Sequence, residues 1–180
     1  MYTEGIQALT ILMAGFILAE FGLGLWLDIR NDKSWGKPIP PELEGIYDEE
    51  RYRKAQAYHR ESRRLGLISG SLGTVTSLLF LSLKGFAWLH LGVAAYVDHP
   101  ILQSLAYFGL LGLAGGILGL PFDLYSTFVI EERYGFNKMT WKTYVADKLK
   151  GVVLGAIIGG GLLSAFVAFY TYAGPLFWLY

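Results

Sequence analysis

The sequence predicts an all-α membrane protein: a polytopic helix bundle of about four transmembrane helices, with the start of a fifth and helical extensions on the cytoplasmic side. Three observations carry that expectation. Hydrophobic residues make up 53% of the chain and charged residues only 17%, well short of the roughly one-quarter usual in soluble domains. The charges cluster in two segments instead of covering a surface. Around them lie four apolar stretches of about twenty residues, the length a helix needs to cross the hydrocarbon core.

The first stretch runs from Ile6 to Leu27 and is interrupted only by Glu20. It reads as a retained span and not as a cleaved signal. Met1-Tyr-Thr-Glu4 is acidic where a signal peptide is basic, and the apolar run is too long for a signal core. The segment 28–64 follows. Pro38, Pro40 and Pro41 break any helix leaving the membrane. Asp48, Glu49 and Glu50 then suit a helix N-terminus, with Arg60, Arg63 and Arg64 nearer the membrane-entering end. A helix from about Asp48 would thus run straight into the second span; the segment reads equally well as a solvated connector or as a docking element.

The second stretch is Leu65 to Leu91, with Lys84 near its outer end and placed to snorkel. The third runs without charge from Ile101 to Leu120. Pro121 then predicts a kink, beyond which the helix leaves the membrane, ends near Gly135 and turns at Asn137. The fourth, Val152 to Tyr172, is uncharged. Tyr170, Tyr172, Phe177, Trp178 and Tyr180 look like an interfacial aromatic belt. The closing Gly174-Pro-Leu-Phe-Trp-Leu-Tyr180 reads as the start of a further apolar segment, expected to return the chain to the cytoplasmic side. The whole of 1–180 is therefore one transmembrane domain, with cytoplasmic loops 28–64 and 131–150. Glycines at every fourth position (Gly151, Gly155 and Gly159; Gly112 and Gly116; Gly115 and Gly119; Gly66 and Gly70) predict close helix packing, within one chain in preference to a dimer face.

Loop charge sets the expected orientation. Of fifteen Lys and Arg residues, nine lie in 28–64, five in 131–150, and Lys84 alone lies elsewhere. The positive-inside rule puts both basic loops in the cytoplasm, and the N-terminus and the 92–100 loop outside. A bacterial inner membrane or an endoplasmic reticulum membrane both fit.

Chemistry is sparse. Cations and anions balance at net charge zero, so no global field points to nucleic acid. The absence of cysteine excludes disulfides and thiolate metal sites. The three histidines, His59, His90 and His99, are spread along the chain, and none lies in a His-Glu-x-x-His helix face that would bind zinc. His90 and His99 flank a short loop with Asp98, but interfacial histidines are ordinary and no metal is assigned there. Neither a Gly-x-Ser-x-Gly elbow nor a Gly-Lys-Ser/Thr phosphate loop occurs. No catalytic residue or metal ligand is expected in this chain. What remains is charge in or beside the membrane, where burying it is costly: Glu20, which suits a water-filled cavity or a polar partner on a neighbouring helix, and Asp123, Glu131 and Glu132 along the third helix.

Those last residues sit in the most distinctive string of the sequence. Phe128-Val-Ile-Glu-Glu-Arg-Tyr-Gly-Phe-Asn137, preceded by Leu120-Pro121 and Leu124-Tyr-Ser-Thr127, resembles the N-terminal membrane domain of the type I CAAX prenyl proteases. Pro41-Glu-Leu-Glu-Gly45, Tyr52-Arg-Lys-Ala-Gln-Ala-Tyr-His59 and Ala173-Gly-Pro-Leu-Phe-Trp178 are similar to the same family, in the same order. The resemblance implies a helical barrel around a large hydrated chamber. It also implies a zinc metallopeptidase that cleaves isoprenylated peptides, its zinc held by His-Glu-x-x-His and a downstream glutamate on a later segment. None of those residues is present here. The expectation is a chamber-wall domain, inactive alone, that scaffolds a catalytic metalloprotease segment in cis or in trans and shelters a prenylated or hydrophobic peptide. It would be a shortened form, a fragmentary gene or one half of a split enzyme. Zinc belongs to the full-length family enzyme and no cofactor to this chain. Glu20, Asp123, Glu131, Glu132 and Asn137 are the candidate chamber or domain-contact residues. The alternative is a non-enzymatic membrane scaffold or carrier derived from the same domain.

Overall fold

A computed structural model describes residues 2–32 and 48–174. The prolines at 38, 40 and 41, the string Pro41–Gly45, and Phe177, Trp178 and Tyr180 of the aromatic belt lie outside the described residues. Among the described residues all regular structure is helical: α1 (Tyr2–Asp32), α2 (Glu49–Ser82), α3 (Gly85–Ala94), α4 (Pro100–Tyr125) continuing as a π-helix (Ser126–Glu131), and α5 (Trp141–Ala173). Four stretches are long and apolar enough to cross a membrane: Gly5–Asp32, Glu49–Ser82, Pro100–Glu131 and Trp141–Ala173. None of their most apolar windows is buried, and large side chains such as Ile11, Phe16, Ile157 and Leu162 are more than half exposed. Such a surface requires hydrocarbon as its solvent. At ten residues α3 rises only about 15 Å, half the hydrocarbon thickness.

The chain divides into two compact units. The first comprises Met1–Gly85 and Pro121–Lys138. Here α1 packs against α2, and α2 against the π-helix. Helix α2 starts as the acidic run predicts. The Asp48 carboxylate accepts a hydrogen bond from the Glu50 amide at 2.9 Å and caps the first turn. Arg51 and Arg53 pair back to Asp48 and Glu49 at 3.9 and 3.3 Å; these exposed pairs each contribute only about 0.3–0.5 kcal/mol. From Leu65 the helix is apolar, and the eighteen residues to Ser82 rise about 27 Å, close to one hydrocarbon thickness.

At that depth the helix stops. Lys84 adopts φ +58°, a left-handed conformation that costs a side-chain-bearing residue about 1–2 kcal/mol. Its amide reaches back to the Leu81 carbonyl at 3.1 Å. The apolar stretch 65–91 is therefore not one helix: it breaks at Leu83-Lys84 and resumes as α3. The break falls at the one cation within the apolar stretch, Lys84. Between α1 and α2, Thr10, Ala14, Val75, Leu78, Leu79, Leu81 and Ser82 line an open crevice of about 300 Å³. Its two hydroxyls are turned back onto their own helices, Thr10 to the Ile6 carbonyl at 2.9 Å and Ser82 to the Leu78 carbonyl at 2.8 Å, which leaves the wall apolar.

Pro121 does not end its helix. The chain continues through it, and the departure from α geometry comes at Ser126, where the repeat widens to the π form. The helix stops at Gly135, as the sequence predicts. Gly135 takes φ +71°. Its amide bonds the Glu132 carbonyl at 3.0 Å, and the Phe136 amide bonds the Glu131 carbonyl at 2.8 Å, the paired pattern of a Schellman C-cap.

The second unit comprises Phe86–Leu120 and Met139–Tyr180. The His90 ring of α3 meets Tyr107 of α4 edge-on at 6.3 Å. Leu105 lies where a side chain on Gly160 of α5 would make ordinary van der Waals contact. Helix α5 begins about ten residues before the apolar stretch read from sequence. Thr140 caps it, its hydroxyl accepting from the Thr143 amide at 3.3 Å. Near its start Tyr144 is buried, flanked by Trp141 and by Lys148 over its ring. Tyr170 and Tyr172 are exposed at the far end.

The glycine spacing does not mark close packing. A Cβ built at Gly66, Gly70, Gly112, Gly115, Gly116, Gly119, Gly151, Gly155 or Gly159 would meet nothing within 4 Å. Small residues permit close approach, but a partner helix must also be there, and none is at these positions among the described residues. Gly85 is different: a Cβ there collides with the Phe80 ring. Gly85→Ala is therefore expected to lower stability by about 1–3 kcal/mol, while Gly151→Ala leaves it unchanged or higher. Thermal unfolding in detergent micelles checks both.

Candidate functional site

The charged side chains of the first unit converge where α2 passes the end of the π-helix. Glu61 of α2 forms an ion pair with Arg133, and the same carboxylate acts electrostatically on Tyr134. One turn away, Tyr58 packs edge-on against both Tyr134 and Phe136, with centroid distances of 5.7 and 4.9 Å. The Schellman turn at Gly135 makes this possible. By reversing the chain it brings Tyr134 and Phe136, on either side of the glycine, onto the same α2 ring. Ile130, fully buried, anchors the last π turn beneath them. On the next part of α2, Arg63 holds Asp32 of α1 at 2.7 Å. The carboxylates of Asp32 and Glu61 thus tie α2 to the end of α1 and to the end of the π-helix.

Burial and Glu61 both act on Tyr134. Removal from water raises its pKa above the usual tyrosine value of 10.0, and the Glu61 carboxylate raises it further. The guanidinium of Arg133 is held still more firmly charged, first by its bond to Glu61 and then by that carboxylate's charge. Beside them, the Ser62 hydroxyl and Arg63 Nε are buried without a hydrogen-bond partner among the described residues.

The residues singled out from sequence fall in different places. Glu131, Glu132 and Asn137 are brought together. Asn137 donates its side-chain amide to the Glu132 carboxylate at 3.0 Å, and its backbone amide to the Glu131 carbonyl at 3.2 Å. These three close the turn on itself. Asp123 is half-buried two turns upstream on the same helix, and Glu20 is exposed within α1. Sequence reading missed Glu61, Arg133, Tyr134, Tyr58 and the Asp32–Arg63 pair. One signal was available: Glu61 is the single acid in Arg60-Glu-Ser-Arg-Arg64.

His59 lies on α2, His90 faces Tyr107, and no three metal-binding side chains come together among the described residues.

The chain matches, over residues 28–180, the family model described as CAAX prenyl protease N-terminal, five membrane helices. This chain belongs to the CAAX prenyl protease family. It is 28% identical to CAAX prenyl protease 1 of Saccharomyces cerevisiae, over 87% of its own length and 37% of the relative's. It is 31% identical to the probable CAAX prenyl protease 1 of Schizosaccharomyces pombe, over 94% of its length and 39% of that protein's. The crystal structure of S. mikatae Ste24p superposes with a TM-score of 0.80 at 28% identity, covering 91% of this chain and 40% of that one. The chain spans about two-fifths of the relatives it matches. It corresponds to their N-terminal membrane domain, and the Glu61–Arg133–Tyr134 cluster lies within the matched region.

The raised Tyr134 pKa gives a signed pH prediction. The neutral hydroxyl stabilises the folded state fully below the ordinary value near 10, and that contribution is lost as pH rises through the folded-state value. Difference ultraviolet titration against Tyr134→Phe is expected to show the Tyr134 phenol ionising above 10, and Glu61→Gln to bring it back toward 10.

Proposed function

We propose that this chain is the membrane-embedded N-terminal domain of a CAAX prenyl protease-like zinc metalloendopeptidase. It forms part of the chamber wall and scaffolds a catalytic segment that carries the zinc site and lies outside residues 1–180. One observation carries this reading: the family match runs through 153 of 180 residues, yet the matched relatives are more than twice as long. A bilayer partner follows from the apolar helices; the metalloprotease segment and a prenylated or hydrophobic peptide are the further partners proposed.

The cluster supports the scaffolding role. Holding a helix end by an ion pair and two aromatic contacts fixes where the following chain starts. The Glu132–Asn137 bond does the same for the turn itself. Glu20 supports the chamber role: among the described residues its carboxylate has no partner and is exposed at hydrocarbon depth, a placement tolerated where a side chain meets water or another polar segment. Asp123 is proposed for the same wall. We place loops 28–64 and 131–150 in the cytoplasm because fourteen of fifteen cations lie in them.

Co-expression with the catalytic portion of the S. cerevisiae relative tests the reading. The two parts are expected to co-purify and to restore cleavage of a prenylated peptide, with neither active alone. Glu131→Gln combined with Glu132→Gln should weaken that assembly severalfold. No co-purification, or unchanged assembly in the double variant, would show that the chain or these carboxylates play no such part.

A further inference from the structure

Two arginines beside the cluster have no counter-charge among the described residues. Arg60, Arg63 and Arg64 fall at i, i+3 and i+4 on α2 and so share one face. Nearby acids are already engaged: Asp32 by Arg63, Glu61 by Arg133, Glu132 by Asn137. Arg60 and Arg64 form no ion pair with any described residue, and both are exposed. Like charges one turn apart repel, so the helix carries this pair at a cost.

Their depth is informative. The apolar run of α2 begins at Leu65. With a rise of 1.5 Å per residue, the Arg64 and Arg60 backbones stand about 1.5 and 7.5 Å above it. The polar headgroup layer of one leaflet is about 5–7 Å thick, so both guanidinium groups lie at the level of lipid phosphates. Guanidinium is the side chain best shaped to take a phosphate in two parallel hydrogen bonds. Arg51 and Arg53, at about 18–21 Å on the same scale, stand more than a Debye length of about 8 Å beyond that layer.

We infer that Arg60 and Arg64 form a binding site for the phosphate of an anionic phospholipid headgroup, which docks beside the Glu61–Arg133 pair and supplies the counter-charge this face lacks. The lipid would brace α2 from the bilayer side, as Asp32 and Glu61 brace it from within the protein. The site does not depend on the proposed protease role.

The purified chain in nanodiscs of phosphatidylcholine, with or without spin-labelled phosphatidylserine, tests this. The expected result is a motionally restricted phosphatidylserine population. Its affinity should fall on the order of tenfold in Arg60→Gln/Arg64→Gln, fall less in Arg60→Lys/Arg64→Lys, which keeps the charge but loses the two-pronged geometry, and change little in Arg51→Gln/Arg53→Gln. Helical content and thermal midpoint in phosphatidylcholine alone report folding. Should the double variant fail to fold, Arg60→Gln and Arg64→Gln carry the test singly, each expected to lose about threefold or more. An equal loss in Arg51→Gln/Arg53→Gln would mean a diffuse field and no site. Displacement by millimolar inorganic phosphate would mean a soluble anion is the ligand. No preference for phosphatidylserine would overturn the inference outright.

Discussion

Hydrocarbon solvates neither charges nor unpaired backbone polar groups, and nearly every feature of this chain follows from that one constraint. It makes the spans helical, and it fixes the apolar part of α2 at about one core thickness. It also leaves the ends of the helices as the only places where ionic chemistry is cheap. The break at Lys84 shows the constraint acting on the backbone: the chain accepts a left-handed residue at the one cation within the apolar stretch. The Glu61–Arg133–Tyr134 cluster shows its other side. It assembles just outside the apolar run of α2, where an ion pair can hold two helices together without the full penalty of burial.

The cluster's geometry depends on one glycine. With Gly135 at positive φ, the π-helix ends in a turn that satisfies the Glu131 and Glu132 carbonyls. The same turn swings Tyr134 and Phe136 onto Tyr58. The family string Glu131-Glu-Arg-Tyr-Gly-Phe-Asn137 can therefore be read residue by residue: two carbonyls to be capped, a cation for Glu61, two rings for Tyr58, a glycine for the turn and an amide to lock Glu132. The π-helix immediately before it changes the register at which Ile130 and Arg133 are presented, compared with an uninterrupted α-helix.

Much of this was legible in the sequence, for physical reasons that differ between elements. Apolar length gave the crossing helices, the Asp48-Glu-Glu50 run gave the start of α2, and Gly135 gave the end of the π-helix. Elements governed by a single local cap were harder to see. Thr140 starts α5 well before its apolar residues begin, and the left-handed Lys84 splits a run that composition presents as continuous. The glycine spacing misled because it reports what a helix permits, not what stands opposite. Among the candidate site residues, Glu132 and Asn137 met because they are neighbours across one turn. Glu61 and Arg133, 72 positions apart, needed the fold to bring them together.

The proposed function implies an alternating path through the bilayer, which positive-inside charge counting expects to put the loops 28–64 and 131–150 opposite the 92–100 loop. The chain has no cysteine, so an introduced thiol reports its own position alone. Arg53→Cys, Lys142→Cys and Tyr96→Cys, each labelled in sealed, oriented vesicles with a membrane-impermeant maleimide, measure the path directly. The account predicts that Arg53→Cys and Lys142→Cys react from the same side and Tyr96→Cys only from the opposite one. Labelling of Tyr96→Cys and Arg53→Cys from one side would contradict it.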